Sequence, residues 1–188
     1  MNTTLVIGGC RSGKSSHALH LADRMGNARK IFLATCIPRD DEMHQRVSRH
    51  QAERGAGWIA VETPLFLSDA IRDIGPNADV LLVDCLTLWV SNLMMEHADP
   101  DAPKDLLAVQ TCRLIESLRA AACPVILVTN EVGAGIVPDN QIARRFRDAV
   151  GQVNQWIAAC ADQVIWMVAG IPVKIKPVNG QIRDRVMV

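Results

Sequence analysis

Gly8-Gly9-Cys10-Arg11-Ser12-Gly13-Lys14-Ser15 fits the pattern G-x-x-x-x-G-K-[ST], and every fixed position in it has a physical reason. Glycines let the backbone curl so that successive N–H groups point at phosphate oxygens. A following helix adds the partial positive charge of its N-terminus. Lys14 is placed to reach β- and γ-phosphates, and the Ser15 hydroxyl can ligate Mg²⁺. The apolar strand Leu5-Val6-Ile7 precedes the loop and a helical pattern follows it, the context that makes the match specific. Asp84 ends the apolar run Val80–Val83, where a carboxylate faces the ligand crevice of a parallel sheet and can hold Mg²⁺ directly or through water. A plain strand-end cap is the lesser reading of the same residue.

A second group of residues lies between 40 and 54. On a helix, Glu42, Arg46, His50 and Arg54 follow at four-residue spacing and share a face. From spacing alone this is an exposed ladder of charges, and His50 an ordinary helical histidine. Asn130 and Glu131 follow the apolar run ending Leu127-Val128-Thr129, again at the ligand edge of a parallel sheet. Gly133 and Gly135 let the next backbone segment turn sharply or approach a ligand closely. That segment reads as a substrate-side or inter-subunit loop, or as a purely structural turn.

These groups must be positioned by strands and helices that alternate along the chain. Apolar runs at Thr4–Ile7, Ile31–Ala34, Trp58–Val61, Val80–Val83, Val125–Thr129 and Val164–Val168 predict strands. Most are continuously apolar, which predicts a sheet covered on both faces. Helical patterns lie near 14–25, 40–54, 65–73, 86–97, 104–122 and 139–161. The alternation predicts an α/β fold with a parallel sheet and right-handed crossovers. In the last helix, Pro138-Asp139 supplies a turn and an N-cap, and Ile142, Phe146, Val150, Val153, Ile157 and Cys160 form the apolar stripe. Arg144, Arg145, Arg147 and Asp148 sit largely off it, as a solvated face. Glu96–Pro103 reads as a surface loop, and the tail after Lys176 is polar and uninformative.

Composition narrows the classes further. The 188 residues fit one catalytic domain over 1–188. Lys+Arg and Asp+Glu are both 20, so no basic field exists to attract nucleic acid or anionic lipid, and an anionic ligand needs a local site. The six cysteines form no Cys-x-x-Cys pair and fall in or beside apolar segments, which predicts reduced thiols, neither a disulfide framework nor a zinc site. No signal-peptide pattern or membrane-spanning run is present, so the expected location is cytoplasmic.

Over almost its whole length the chain resembles the bifunctional adenosylcobinamide kinase/adenosylcobinamide-phosphate guanylyltransferases of cobalamin biosynthesis. The resemblance rests on Gly8–Ser15, Ala34-Thr35, Asp41-Glu42-Met43 with Arg46, His50, Arg54 and Trp58, then Glu62. It continues through Thr129-Asn130-Glu131-Val132-Gly133-Ala134-Gly135-Ile136-Val137-Pro138, the most specific block, and through Arg144, Phe146-Arg147-Asp148, Gly151, Val153-Asn154-Gln155 and Gly170–Lys176. It implies a P-loop, RecA-like fold with a mostly parallel central sheet and helices on both faces. It further implies phosphorylation of adenosylcobinamide by ATP or GTP, then transfer of GMP from GTP to adenosylcobinamide phosphate through a GMP-histidine, with Mg²⁺. His50 matches the guanylylated histidine; Arg49 stands where some relatives carry a second histidine. By the same resemblance Thr35, Cys36, Ile37, Gln51, Arg54, Glu62 and Asp84 join Gly8–Ser15 in contacting nucleotide, and the family forms homotrimers. Without the resemblance, Glu62 is equally a solvated strand end. The residues alone leave room for a monofunctional small-molecule kinase, or for a nucleotide-dependent switch protein with a protein partner.

Overall fold

The computed structural model describes residues 3–25, 28–38, 40–55, 57–96 and 106–177; the side chains of Glu42, Arg46, Arg49, His50 and Glu53 lie outside that description. The chain runs β1 (Thr3–Gly8), α1 (Lys14–Met25), β2 (Lys30–Ala34), α2 (Asp41–Arg54), β3 (Trp58–Glu62), α3 (Leu67–Ile74), a 3-10 turn (Gly75–Asn77), β4 (Val80–Asp84) and α4 (Leu86–Glu96). It continues through α5 (Leu106–Ala120), β5 (Val125–Asn130), α6 (Gln141–Cys160), β6 (Gln163–Val168) and β7 (Ile171–Lys176). The seven strands form one sheet in the order β3-β2-β4-β5-β1-β6-β7. β1 to β6 are parallel, and β7 returns antiparallel along β6.

Strand side chains alternate between two cores, as the two-residue period requires. Leu5, Leu33, Leu81, Val83 and Leu127 point to one face and pack on α3 to α6 through Leu67, Trp89, Leu114 and Ile157. Val6, Phe32, Leu82, Ile126 and Val128 point to the other and meet Ala18 and Ala22 of α1. Trp89 is fully buried, and its indole N–H donates to the Leu65 carbonyl at 3.0 Å.

Coverage stops short of the sheet edges. Ile59 on β3 is 50 % exposed, and Trp166, Ile171, Val173 and Ile175 on β6 and β7 are all exposed, so the expectation of full cover fails there. β7 itself is absent from the sequence reading, because Pro172 and two lysines interrupt its alternation. In α6 the N-cap is Asn140, not Asp139: its Oδ1 accepts from Ile142 N at 2.7 Å and Ala143 N at 3.3 Å. Val150, Val153 and Ile157 are buried as the stripe predicts, but Ile142, in the first turn, is exposed. Arg144 is not purely solvated, since its Nη1 donates to the Pro138 and Asp139 carbonyls at 2.9 and 2.7 Å. The predicted surface loop at 97–103 and the tail from 178 onward lie outside the described residues.

Candidate active site

Because β1 to β5 are parallel, their C-terminal ends lie along one edge: Gly8 pairs with Asn130, while Asp84, Ala34 and Glu62 stand level with Val128 and Val6, two residues earlier. Across the sheet, at about 4.8 Å per strand, Asn130 is about 5 Å from β1, Asp84 about 10 Å and Glu62 about 19 Å.

The loop after β1 is held tightly. A Cβ on Gly8 would lie 2.5 Å from Ser12 Oγ and 2.8 Å from the Met167 carbonyl oxygen, so only glycine fits. Arg11 (φ 54°) and Gly13 (φ 86°) take the left-handed conformation that curls the loop. Ser12 N donates to Gly9 O at 3.3 Å, and Gly170 N, from the β6–β7 turn, donates to Ser12 O at 3.0 Å. Gly9, Cys10, Arg11 and Ser15 lie exposed or half-buried around this curl, whereas Lys14 is largely buried and donates to Gly9 O at 3.1 Å. Ser12 Oγ is buried with no hydrogen-bond partner among the described residues.

Asp84 closes β4 half-buried, followed by a cis Asp84–Cys85 peptide bond. Thr35 braces this point from β2's end. Its hydroxyl donates to Cys85 O at 2.7 Å and accepts from Cys85 N at 2.8 Å, and its own N–H donates to Asp84 O at 3.3 Å. Asn92 of α4 completes the brace, donating to Thr35 O at 2.8 Å and Pro64 O at 3.1 Å. All the polar groups of the fully buried Thr35 therefore have partners inside the protein. Burial, reinforced by Asp84, pushes the Cys85 thiol up to about 12 and keeps it inert, and the Lys14 charge acts on it in the opposite sense.

Helix α2 begins at Asp40, whose side chain accepts from Met43 N at 2.8 Å, and ends at Gly55 (φ 70°). Its last turn returns over the sheet: the Arg54 guanidinium lies 3.7 Å from the centroid of the Phe32 ring. Burial lowers the Arg54 pKa from its ordinary value, and the Asp84 charge works against that. Through the Phe32 contact the last turn of α2 rests on β2, the strand beside β4 and Asp84. His50 lies one helical turn before Arg54. Along the β2–α2 connection Cys36 is half-buried and Ile37 exposed; Gln51, in the last turn of α2, is exposed, and Glu62 is exposed at the end of edge strand β3.

Sequence reasoning missed a polar network under the end of β5. Thr129 Oγ1 donates to Asn154 Oδ1 at 2.7 Å, and Asn154 Nδ2 donates to Asn130 O at 3.1 Å. Asn130 donates to Thr87 Oγ1 from its N–H at 2.8 Å and from Nδ2 at 3.2 Å. β5 is thereby fixed to α4 and α6 just before Glu131, whose N–H donates to Gly8 O at 3.1 Å. The available signal was Asn154 inside an apolar stripe, since a buried amide needs partners.

The donor set suits Mg²⁺ better than a softer ion. Ser15 and Asp84 offer hard oxygens, and among the described residues no group of three His, Cys, Asp or Glu could cage a metal. Mg²⁺ typically uses one or two protein oxygens plus phosphate and water.

Solved structures share the fold alone. One solved ATPase domain superposes with a TM-score of 0.52 at 14 % identity, covering 88 % of this chain and 68 % of that one. An ATPase of a bacterial type III secretion system gives 0.52 at 15 % identity, covering 88 % of this chain and 50 % of that one. These place the chain among P-loop, RecA-like α/β proteins, as expected. Sequence relatives are nearer. The bifunctional adenosylcobalamin biosynthesis protein CobU of Salmonella typhimurium (strain LT2) is 44 % identical over 182 residues, spanning 92 % of this chain and 98 % of the relative. CobU of Escherichia coli K12 is 41 % identical over 181 residues with the same coverage. CobP of Pseudomonas aeruginosa is 40 % identical over 172 residues, covering 92 % and 96 %. Residues 4–175 match the model of the cobinamide kinase/cobinamide phosphate guanyltransferase family, and the chain belongs to that family of transferases.

Proposed function

We propose that this protein phosphorylates the aminopropanol hydroxyl of adenosylcobinamide with ATP or GTP, then transfers GMP from GTP to adenosylcobinamide phosphate, giving adenosylcobinamide-GDP. The observation that carries this reading is the attachment of two chemically distinct groups to one sheet edge. The phosphate loop sits at β1, and α2, which bears His50, returns to the sheet where Arg54 stacks on Phe32 of β2. A monofunctional kinase needs the first group and has no use for the second.

In this reading the N–H groups of the loop and Lys14 hold the triphosphate. His50 attacks the α-phosphorus of GTP as a neutral imidazole; a P–N bond forms, the bond to pyrophosphate breaks, and the phosphoramidate passes GMP to the corrinoid phosphate. Ser15 and Asp84 would hold Mg²⁺, whose positive charge would offset that of the phosphates. Thr35 and Asn92 hold Asp84 and the strand ends in place. Glu62 serves the ribose or base end of a nucleotide, since about four strand spacings separate it from the loop.

Two further parts of the reading concern assembly and location. The exposed apolar residues of β6 and β7, Trp166, Ile171, Val173 and Ile175, favour a homo-oligomer, the trimer implied by the family resemblance. Light scattering at micromolar protein concentration tests this; a monomer refutes it. All six cysteines are free, and no described helix is long and apolar enough to cross a membrane, in keeping with a cytoplasmic enzyme.

The central test is incubation with Mg²⁺ and GTP, then intact mass and peptide mapping. One GMP on His50, acid-labile and discharged by adenosylcobinamide phosphate, is expected. GTP binding without an adduct points to a simple kinase or a nucleotide switch.

A further inference from the structure

Three carboxylates stand at or just beyond the ligand edge of the sheet: Glu62 ending β3, Asp84 ending β4 and Glu131 just after β5. Strand order ranks them by distance from the phosphate loop. Glu62 is four strand spacings from β1, Asp84 two and Glu131 one, about 19, 10 and 5 Å. Asp84 ends a buried strand and occupies the position from which a carboxylate reaches a phosphate-bound metal.

Glu131 is different. Its main chain is bonded to the first residue of the phosphate loop, Glu131 N to Gly8 O at 3.1 Å. The Thr87–Thr129–Asn130–Asn154 network immobilises the residue before it. One carboxylate oxygen, Oε1, accepts from Gly133 N at 2.9 Å, which fixes the side chain and folds the loop around it. Among the described residues Oε2 has no hydrogen-bond partner, and the residue is half-buried, open to a ligand at the edge. A local turn would be served as well by a neutral Asn or Ser. A carboxylate positioned on both sides and pinned to the phosphate loop has the properties of a proton acceptor.

We infer that Glu131 is the general base of the kinase half-reaction, taking the proton from the corrinoid hydroxyl. The step balances: the O–H proton goes to the Glu131 carboxylate, an O–P bond forms to the γ-phosphorus, and the bond from γ-phosphorus to the β–γ bridging oxygen breaks. The nucleoside diphosphate departs and the proton passes to solvent. This rests on the two-reaction reading. Guanylyl transfer uses an imidazole and a phosphate as nucleophiles, neither of which carries a hydroxyl proton, so it does not need Glu131.

Glu131→Gln keeps an oxygen to accept from Gly133 N and removes only the base. Full-length wild-type, E131Q and E131D proteins are assayed for phosphorylation of adenosylcobinamide, and separately for GMP transfer to adenosylcobinamide phosphate. The expected result is a kinase kcat lowered about 100-fold or more in E131Q. KM for both substrates should stay near wild type, E131D should recover part of the rate, and GMP transfer should fall by no more than about threefold. Wild-type kinase activity with E131Q within about threefold of it overturns the assignment alone. An equal fall in both reactions with weakened nucleotide binding makes Glu131 a structural residue and also overturns it. A wild-type protein without kinase turnover removes the two-reaction reading, and this role with it.

Discussion

The two regions to which the proposed reactions give roles are built on opposite principles. The phosphate loop grows from a central strand, with Leu5 and Val6 fully buried, and is bonded to Glu131 on one side and Gly170 on the other. The α2–β3 region is peripheral. None of the described side chains of α2 is buried, and β3 is an edge strand with Ile59, Ala60 and Glu62 exposed. Its clearest anchors are side chains on aromatic faces: Arg54 over Phe32, Lys30 over Trp58 at 5.3 Å, and the edge-to-face Phe32–Trp58 pair. Such contacts contribute about 1 kcal/mol each, far less than a buried strand. For the reactions proposed, a loop that holds phosphate through preorganised N–H groups gains from rigidity, whereas a helix that takes up and hands on GMP must change partners.

Four perturbations break or sharpen that contrast. The largest effect belongs to His50→Asn, which should abolish the covalent GMP adduct and lower guanylyl transfer by about 1,000-fold or more, with GTP affinity within about threefold of wild type. A mutant still labelled by GTP removes His50 from the mechanism. Gly8→Ala should instead damage both reactions. With a Cβ 2.5 Å from Ser12 Oγ and 2.8 Å from a backbone oxygen, the loop must shift, and GTP binding measured by calorimetry should weaken by about 100-fold. If only one activity suffers, the two do not share this loop.

Thr35→Val tests the brace between the regions. It leaves Cys85 N and O without their buried partner, a loss of about 2–4 kcal/mol by denaturant unfolding. Thr35→Ser, which keeps the hydroxyl, should restore most of it; unfolding midpoints for Val equal to wild type would show that the brace carries no energy. The smallest effect concerns His17 in α1, whose Nε2 is buried without a partner among the described residues. Burial, helped by His20, lowers its pKa from the ordinary 6.5, so the folded protein binds fewer protons than the unfolded chain in that window. Its contribution to stability is full above pH 6.5 and is lost as pH falls from there toward the folded value. His17→Asn should flatten this slope between about pH 7.5 and 5.5; an unchanged slope assigns it to other groups.

The same contrast explains what the sequence can and cannot disclose. The strands flanking the loop are buried on both faces and read as unbroken apolar runs, so β1, β2, β4 and β5 are legible to within a residue or two. β7 is not, because an exposed edge strand places no such demand on its residues: Pro172, Lys174 and Lys176 are tolerated where water covers one side. Asp139 and Asn140 are adjacent and both suited to capping, and composition does not separate them; the φ/ψ of Asn140 does. At the site, the G-x-x-x-x-G-K-S pattern and a carboxylate ending an apolar run are legible because they are contiguous signals. The Thr35–Cys85–Asn92 brace and the Thr87–Thr129–Asn154 network are not, because their members lie far apart in sequence and are ordinary polar residues until the sheet register brings them together.

The position of β1 also governs when the phosphate loop can exist during synthesis. This strand pairs with β5 and β6, and its loop is clasped by Gly170, so a growing chain must hold β1 unpaired until Val125 and the residues after it have emerged. The N–H groups that curl around phosphate are made well before the partners that fix them. A nascent or truncated chain ending before the β6–β7 turn would therefore lack a finished triphosphate site and consume no nucleotide, while depending on its surroundings to keep β1 from pairing with a neighbour.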